Sequence, residues 1–142
     1  MNEDLFELAK KDYAAVKKLM PNRSTDEYFL SIVCYHYQQA IEKLLKYLIN
    51  LYGEKYPATH DIAVLCNLAE NLGIQISNEL GLLATTLTDW ESKTRYNASI
   101  VATIQQLDCA DAIYTELLAK VEAKVADCNK QGHRVTEIKA FR

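Results

Sequence analysis

Residues 26–52 run without a glycine or proline, and their apolar side chains fall on two helical stripes rather than one. The first stripe is Phe29, Val33, Tyr37, Ala40, Leu44, Leu48 and Leu51. The second is Tyr28, Ile32, Ile41, Leu45, Ile49 and Tyr52. Only Ser31, Gln38, Glu42, Lys46 and Asn50 keep a narrow polar band between them. A helix that is apolar on two sides needs two partners. One partner is the core of the chain's own bundle. The surplus stripe predicts the second partner to be another copy, so the chain is expected to be a homodimer joined through Asp26–Tyr52 with help from its last helix.

The rest of the chain agrees with an all-α fold. Four glycines and two prolines among 142 residues are too few for the closely spaced turns of a sandwich or barrel. A first helix is expected over Asp4–Met20, where Leu5, Leu8, Ala9, Tyr13, Val16 and Leu19 share a face and Pro21 ends it. Ser24 or Thr25 caps the two-stripe helix, and Gly53 closes it. A third helix is expected over His60–Leu72 and a shorter one over Asn78–Thr88. Asp89–Asn97 then reads as a polar connection with aromatics embedded in it. The last helix is expected over Ala98–Lys130, its seam being Ile100, Ile104, Leu107, Asp111, Tyr114, Leu118, Val121, Val125 and Cys128. The fold class is therefore an up-and-down bundle of four to five helices.

Composition narrows the function classes. Apolar residues make up 49% and charged residues 25%, which excludes a disordered chain. A net charge of -3 excludes the broad basic field of a strongly electrostatic nucleic-acid binder. Cys34, Cys66, Cys109 and Cys128 are too scattered for paired zinc ligands or an obvious disulfide. The acidic opening Met1-Asn2-Glu3-Asp4 is followed by no apolar leader segment, and no stretch is apolar enough for a membrane span. The expected location is cytoplasmic, with no cofactor and no metal.

One segment carries a family resemblance. Gln38-Gln39-Ala40-Ile41-Glu42-Lys43-Leu44-Leu45-Lys46, followed by Pro57-Ala58-Thr59-His60-Asp61, resembles the HEPN domain family (higher eukaryotes and prokaryotes nucleotide-binding). That family's hallmark is a Gln-Gln-x-x-Glu-Lys-x-x-Lys helix followed by a Pro-x-Thr-His-Asp segment. Arg95-Tyr96 sits where the family commonly shows Arg-Tyr-Pro, and Asn97 departs from it at the third residue. The resemblance spans about Asp4 to Val125. It implies a bundle of four to five helices that is usually dimeric; the bundle is expected over residues 1–132, and 133–142 reads from its own residues as a basic tail. It also implies an association with RNA and nucleotides, since members include toxin-like ribonucleases and proteins that pair with small nucleotidyltransferases.

The ribonuclease branch places a histidine four to six residues beyond an arginine. After Arg95 those positions are Ile100, Val101 and Ala102. After Arg23 they are Tyr28, Phe29 and Leu30, and after Arg134 they are Lys139, Ala140 and Phe141. None is histidine. The resemblance therefore implies a binding or accessory protein for nucleotides, RNA or a nucleotidyltransferase partner. The alternatives are a divergent ribonuclease using Arg95 and a purely structural protein-interaction dimer.

The binding candidates are Arg95, Tyr96, Asn97, His60, Lys43 and Lys46, with no catalytic residue assigned. Arg95 offers a planar fork to phosphate, and Tyr96 a ring for a base. Asn97 or Ser99 would cap the last helix and bring its N-terminus beside Arg95. Alternatively, Arg95 is spent on Asp108 or Asp111. His60 and Asp61 read either as the first turn of a helix capped by Thr59 or as a phosphate, base or catalytic contact. Lys43 and Lys46 with Glu42 read either as a solvated face of local ion pairs or as an anion groove. Asp111, the only charged residue on its seam, needs a partner, and the Tyr114 hydroxyl is the local candidate. His36 reads as a half-buried core or interface histidine, and Trp90 as a packing anchor.

Overall fold

The computed structural model describes residues 2–22, 27–95 and 102–130. Among them are five α-helices: α1 (Asn2–Leu19), α2 (Glu27–Leu51), α3 (Ile62–Asn71), α4 (Asn78–Arg95) and α5 (Ile104–Lys130). A 3-10 turn over Met20–Asn22 follows α1. The all-α bundle expected from the sequence is the fold observed, and the expected tail lies outside the described residues. No helix among those residues is long and apolar enough to cross a membrane.

The α2 helix is the axis of the bundle, in contact with each of the other four helices. That placement corrects the argument made from its two stripes. Tyr37, Leu44 and Leu48 of the first stripe are at most 1% exposed, and Ile41, Leu45 and Ile49 of the second are at 0%. The chain supplies both partners itself. Among the described side chains of the second stripe, only Ile32 and Tyr52 stay about two-fifths exposed. The surplus stripe therefore gives no reason for a second copy.

The helix ends follow local chemistry. Gly53 and Gly73 take φ of 90° and 86°, the left-handed conformation in which a helix can close. There the amide of Glu54 reaches back to the Ile49 carbonyl, and that of Ile74 to the Ala69 carbonyl. The cap of α3 is Asp61, not Thr59, because a carboxylate can take two free amides. It accepts from Ala63 and Val64, while Thr59 Oγ1 accepts from the Asp61 amide. His60 consequently precedes the helix instead of standing in its first turn.

Two boundaries in the second half differ from expectation. Asp89–Arg95, read as part of a polar connection, is the last part of α4, because Leu80, Leu83, Leu87 and Trp90 continue one buried stripe into it. The α5 helix begins at Ile104. Thr103 and Gln106 form a reciprocal capping pair, Thr103 Oγ1 accepting from the Gln106 amide and Gln106 Oε1 from the Thr103 amide. A start at Ala98, capped by Asn97 or Ser99, is thereby corrected.

Asp111 joins three helices. Its Oδ1 accepts from the Tyr13 hydroxyl of α1 at 2.8 Å and from the Tyr37 hydroxyl of α2 at 3.0 Å, with Lys17 Nζ at 3.6 Å. Tyr114 is not its partner. That ring stacks on Tyr13, centroids 4.0 Å apart. Burial pushes the Tyr114 phenol up to about 12.

The core makes two predictions. Ile41→Glu would bury a charge at a site with no exposure, and the expected outcome is loss of the folded state, read as loss of helical circular dichroism. A folded, soluble variant would show that Ile41 faces outward. The second concerns alkali. Burial pushes the Cys34 and Cys66 thiols from an ordinary value near 9 up to about 12. The native state then holds these protons more tightly than the unfolded chain, so their contribution is complete below pH 9 and is lost between pH 9 and 12. At about pH 10 the loss is on the order of 1 kcal/mol per thiol. Urea midpoints should fall across that range, and a Cys34→Ala, Cys66→Ala variant should show a shallower fall.

Candidate functional site

The polar band of α2 is neither solvated nor a groove. Gln38 is 0% exposed, Glu42 3%, Lys46 9% and Asn50 2%. Spaced four apart, these residues stack along one line of the helix. Buried polar groups persist only when hydrogen-bonded, and these are. Glu42 is the hub. Its Oε1 accepts from Gln38 Nε2 at 2.7 Å, and its Oε2 from Lys46 Nζ at 2.9 Å. Gln38 Oε1 accepts in turn from Gln39 Nε2 at 2.6 Å. Asn50 closes the line by donating to the Lys46 carbonyl.

The connection between α2 and α3 brings the outer member. His60 Nδ1 lies 3.0 Å and 3.1 Å from the two oxygens of Glu42, so the nitrogen bearing hydrogen there donates to the carboxylate. His60 Nε2 faces Glu91 Oε1 of α4 at 3.8 Å. The histidine side chain is 52% exposed, while the Glu42 and Glu91 side chains are each only 4% exposed. Lys46 Nζ also lies 5.3 Å from the centre of the Tyr56 ring. The position is anchored from behind, because the Ile62 amide donates to Thr88 Oγ1 of α4. The Asp61 cap fixes the following turn.

The arrangement is a half-exposed imidazole aimed by a buried carboxylate, with its other nitrogen facing a second buried carboxylate. Such a ring can donate or accept a proton at Nε2, and its orientation is set in advance. On α4, the indole N–H of buried Trp90 has no acceptor among the described residues.

Of the sequence candidates, the structure brings His60 and Lys46 together on Glu42. Lys43 belongs elsewhere. Its Nζ lies 2.5 Å from Asp12 Oδ2 of α1, and the other oxygen of Asp12 meets His36 Nδ1 at 2.8 Å. Lys43 and Lys46 therefore serve two different carboxylates and do not line one anion groove. His36, 28% exposed, is the half-buried histidine expected. Arg95 is the last residue of α4, one helical turn beyond Glu91 on the same face. Its side chain, and all of Tyr96 and Asn97, lie outside the described residues. With α5 starting at Ile104, Arg95 does not directly precede that helix's N-terminus. Glu91 and Tyr56 were missed by sequence reasoning. The buried stripe of α4 carried through Trp90 was the available signal for Glu91.

Among the described residues no cluster of three or more His, Cys, Asp or Glu side chains is placed to hold a metal ion. All four cysteines are free. A family model described as the HEPN domain matches residues 2–124. No curated protein and no solved structure matches the chain.

The network makes a stability prediction. Glu42→Ala would leave the Lys46 ammonium, 11% exposed, without its partner, at a cost of about 3–5 kcal/mol in urea unfolding. His60→Ala, at a half-exposed position, should cost about 1 kcal/mol or less. Equal effects from the two variants would contradict the assignment of Glu42 as hub.

Proposed function

The chain belongs to the HEPN domain family, a family tied to nucleotides and RNA, and from that premise we propose that it is a binding or accessory module that contacts RNA or nucleotide phosphates through His60 and Arg95. The observation that carries the reading is the Glu42-aimed imidazole, half exposed, at the mouth of an otherwise buried network. Arg95 supports it by its register on α4, one turn beyond Glu91. The remaining charges of the network pair with one another, so few cations are left for phosphate. Binding is therefore weak and salt-sensitive. A small nucleotidyltransferase-type protein is the partner class for the accessory role, with location in the cytoplasm.

Homodimerisation is part of this proposal. Because α2 is used up inside the bundle, the interface draws on other exposed apolar side chains. Leu82 on α4, 86% exposed, and Ile104 at the start of α5, 49% exposed, are the leading ones.

One observation favours a second reading. An imidazole whose Nδ1 is held by a carboxylate is suited to general acid–base work at Nε2. A divergent ribonuclease would use His60 there, with Arg95 on the phosphate, and not a histidine following the arginine.

A single experiment separates these readings. Fluorescence anisotropy with a short single-stranded RNA is measured at about 50 and 200 mM salt. His60→Ala and Arg95→Ala are each expected to weaken binding about tenfold, near 1.4 kcal/mol. Wild-type affinity in both variants would end the proposal. Breakdown of the RNA that disappears with His60→Ala would select the ribonuclease.

A further inference from the structure

A groove of about 450 Å³ lies between α3 and α4 and shares no lining residue with the His60 network. Ala63, Cys66, Ile76, Gly81 and Ala84 give it an apolar floor, and Leu82 stands at its edge, 86% exposed. A single exposed leucine is ordinary on a protein surface. One beside an apolar groove forms a face that another segment can cover. At Gly81 no atom lies within 4 Å of where a Cβ would stand, so the space there is open to an approaching chain.

The groove also lacks positive charge. Residues 56–92 contain Asp61, Glu70, Glu79, Asp89 and Glu91 and not one lysine or arginine. Three of these carboxylates have tasks in the fold. Asp61 caps α3, Glu79 suits the first turn of α4, and Glu91 faces His60. Glu70 has no such task. It lines the groove from the last turn of α3, where the helix dipole disfavours an anion and no basic residue offsets it. No cation stands within ion-pair distance of it among the described residues. Its field reaches the groove floor: burial, followed by Glu70 and Asp61, pushes the Cys66 thiol up to about 12.

The chain carries the complement. Residues 131–142, which follow α5, hold Arg134, Lys139 and Arg142 against the single acid Glu137. Val135, Ile138 and Phe141 recur at every third position, a spacing that puts side chains along one side of a helical or polyproline segment. The α5 helix ends close to the groove. Asp127 in its last turn and Gln75 line one small cleft, and Gln75 adjoins Ile76 of the groove. Twelve residues reach about 40 Å when extended and about 18 Å when helical. The groove's stretch of α4, from Asn78 to Ala84, is about 10 Å long. We propose that residues 131–142 dock into the α3–α4 groove of their own chain, Arg134 beside Glu70, and Val135, Ile138 and Phe141 over the apolar floor and Leu82. The segment enters at the Ile76 end, where Glu70 stands, and runs towards Ala63. With Leu82 covered, Ile104 is left to an interface between copies. The docking uses neither His60 nor Arg95, so it stands apart from the reading of that site.

The test uses the full chain with photoreactive benzoylphenylalanine in place of Phe141, which keeps a ring at that position. Irradiation, digestion and mass spectrometry identify the residues joined. The expected product has the mass of one chain and a link into residues 63–84. Glu70→Lys, at an exposed position, should lower the yield of that product by about two- to fivefold, the worth of one exposed charge contact. Amide chemical shifts of the unmodified chain give an independent reading. Ile138→Ser combined with Phe141→Ser should move the amides of Ala63, Asn67, Gly81 and Leu82. Helical circular dichroism should stay unchanged, because neither position belongs to a described helix. A link into the groove at twice the chain mass would assign the groove to a second copy and overturn docking within one chain. Links elsewhere, no link, or groove amides unmoved by the double variant would each overturn it as well.

Discussion

A carboxylate with almost no exposure, Glu42, is what the packing of the α2–α3 connection against this bundle depends on. A buried charge must be paired and its oxygens occupied, or the fold gives up several kcal/mol. Glu42 meets that demand with three residues from two parts of the chain. Gln38 and Lys46 come from one turn either side of it on α2, and His60 comes from the connection to α3. The local pair is available as soon as α2 forms. His60 is available only when the 52–61 connection folds back onto the helix. The carboxylate thus couples the course of a loop to the axis of the bundle, and Glu91 on α4 faces the same imidazole from the other side.

The same helix shows where a periodicity argument stops. Two apolar stripes do require two partners, and that inference was sound. Periodicity does not say whether the partners come from one chain or two. Here four helices surround α2, and Ile41, Leu45 and Ile49 are covered by the chain's own side chains. The narrow polar band was equally legible as a pattern and equally silent about its environment. Gln38, Glu42, Lys46 and Asn50 have the composition of a solvent-facing strip. What sets them apart is that every member finds a hydrogen-bond partner, a property of the assembled structure.

Helix ends divided along similar lines. Gly53 and Gly73 were readable because a residue without Cβ closes a helix cheaply. Thr103 was also readable in principle, since Thr-Ile-Gln-Gln has the threonine and glutamine of a capping box at the required spacing. Asn97 and Ser99 are competing caps by composition alone, and only the reciprocal bonds decide between them. Asp61 outranks Thr59 for a comparable reason, because its carboxylate satisfies two amides of α3 at once. That two-position difference removes His60 from the helix and frees its ring to swing onto Glu42.

The lysines of the family-like motif complete the argument. Lys43 and Lys46 are three residues apart on α2, close enough to suggest a shared anion site. The 60° between them around the helix is enough to send one to Asp12 of α1 and the other to Glu42. Each lysine then neutralises a carboxylate that also orients a histidine, His36 in one case and His60 in the other. The two clusters have the same chemistry and different openings to solvent, His36 being 28% exposed and His60 52%. The motif's lysines therefore act behind the surface, by holding the carboxylates that aim the imidazoles. Of the two imidazoles left at the edge, His60 is the more accessible.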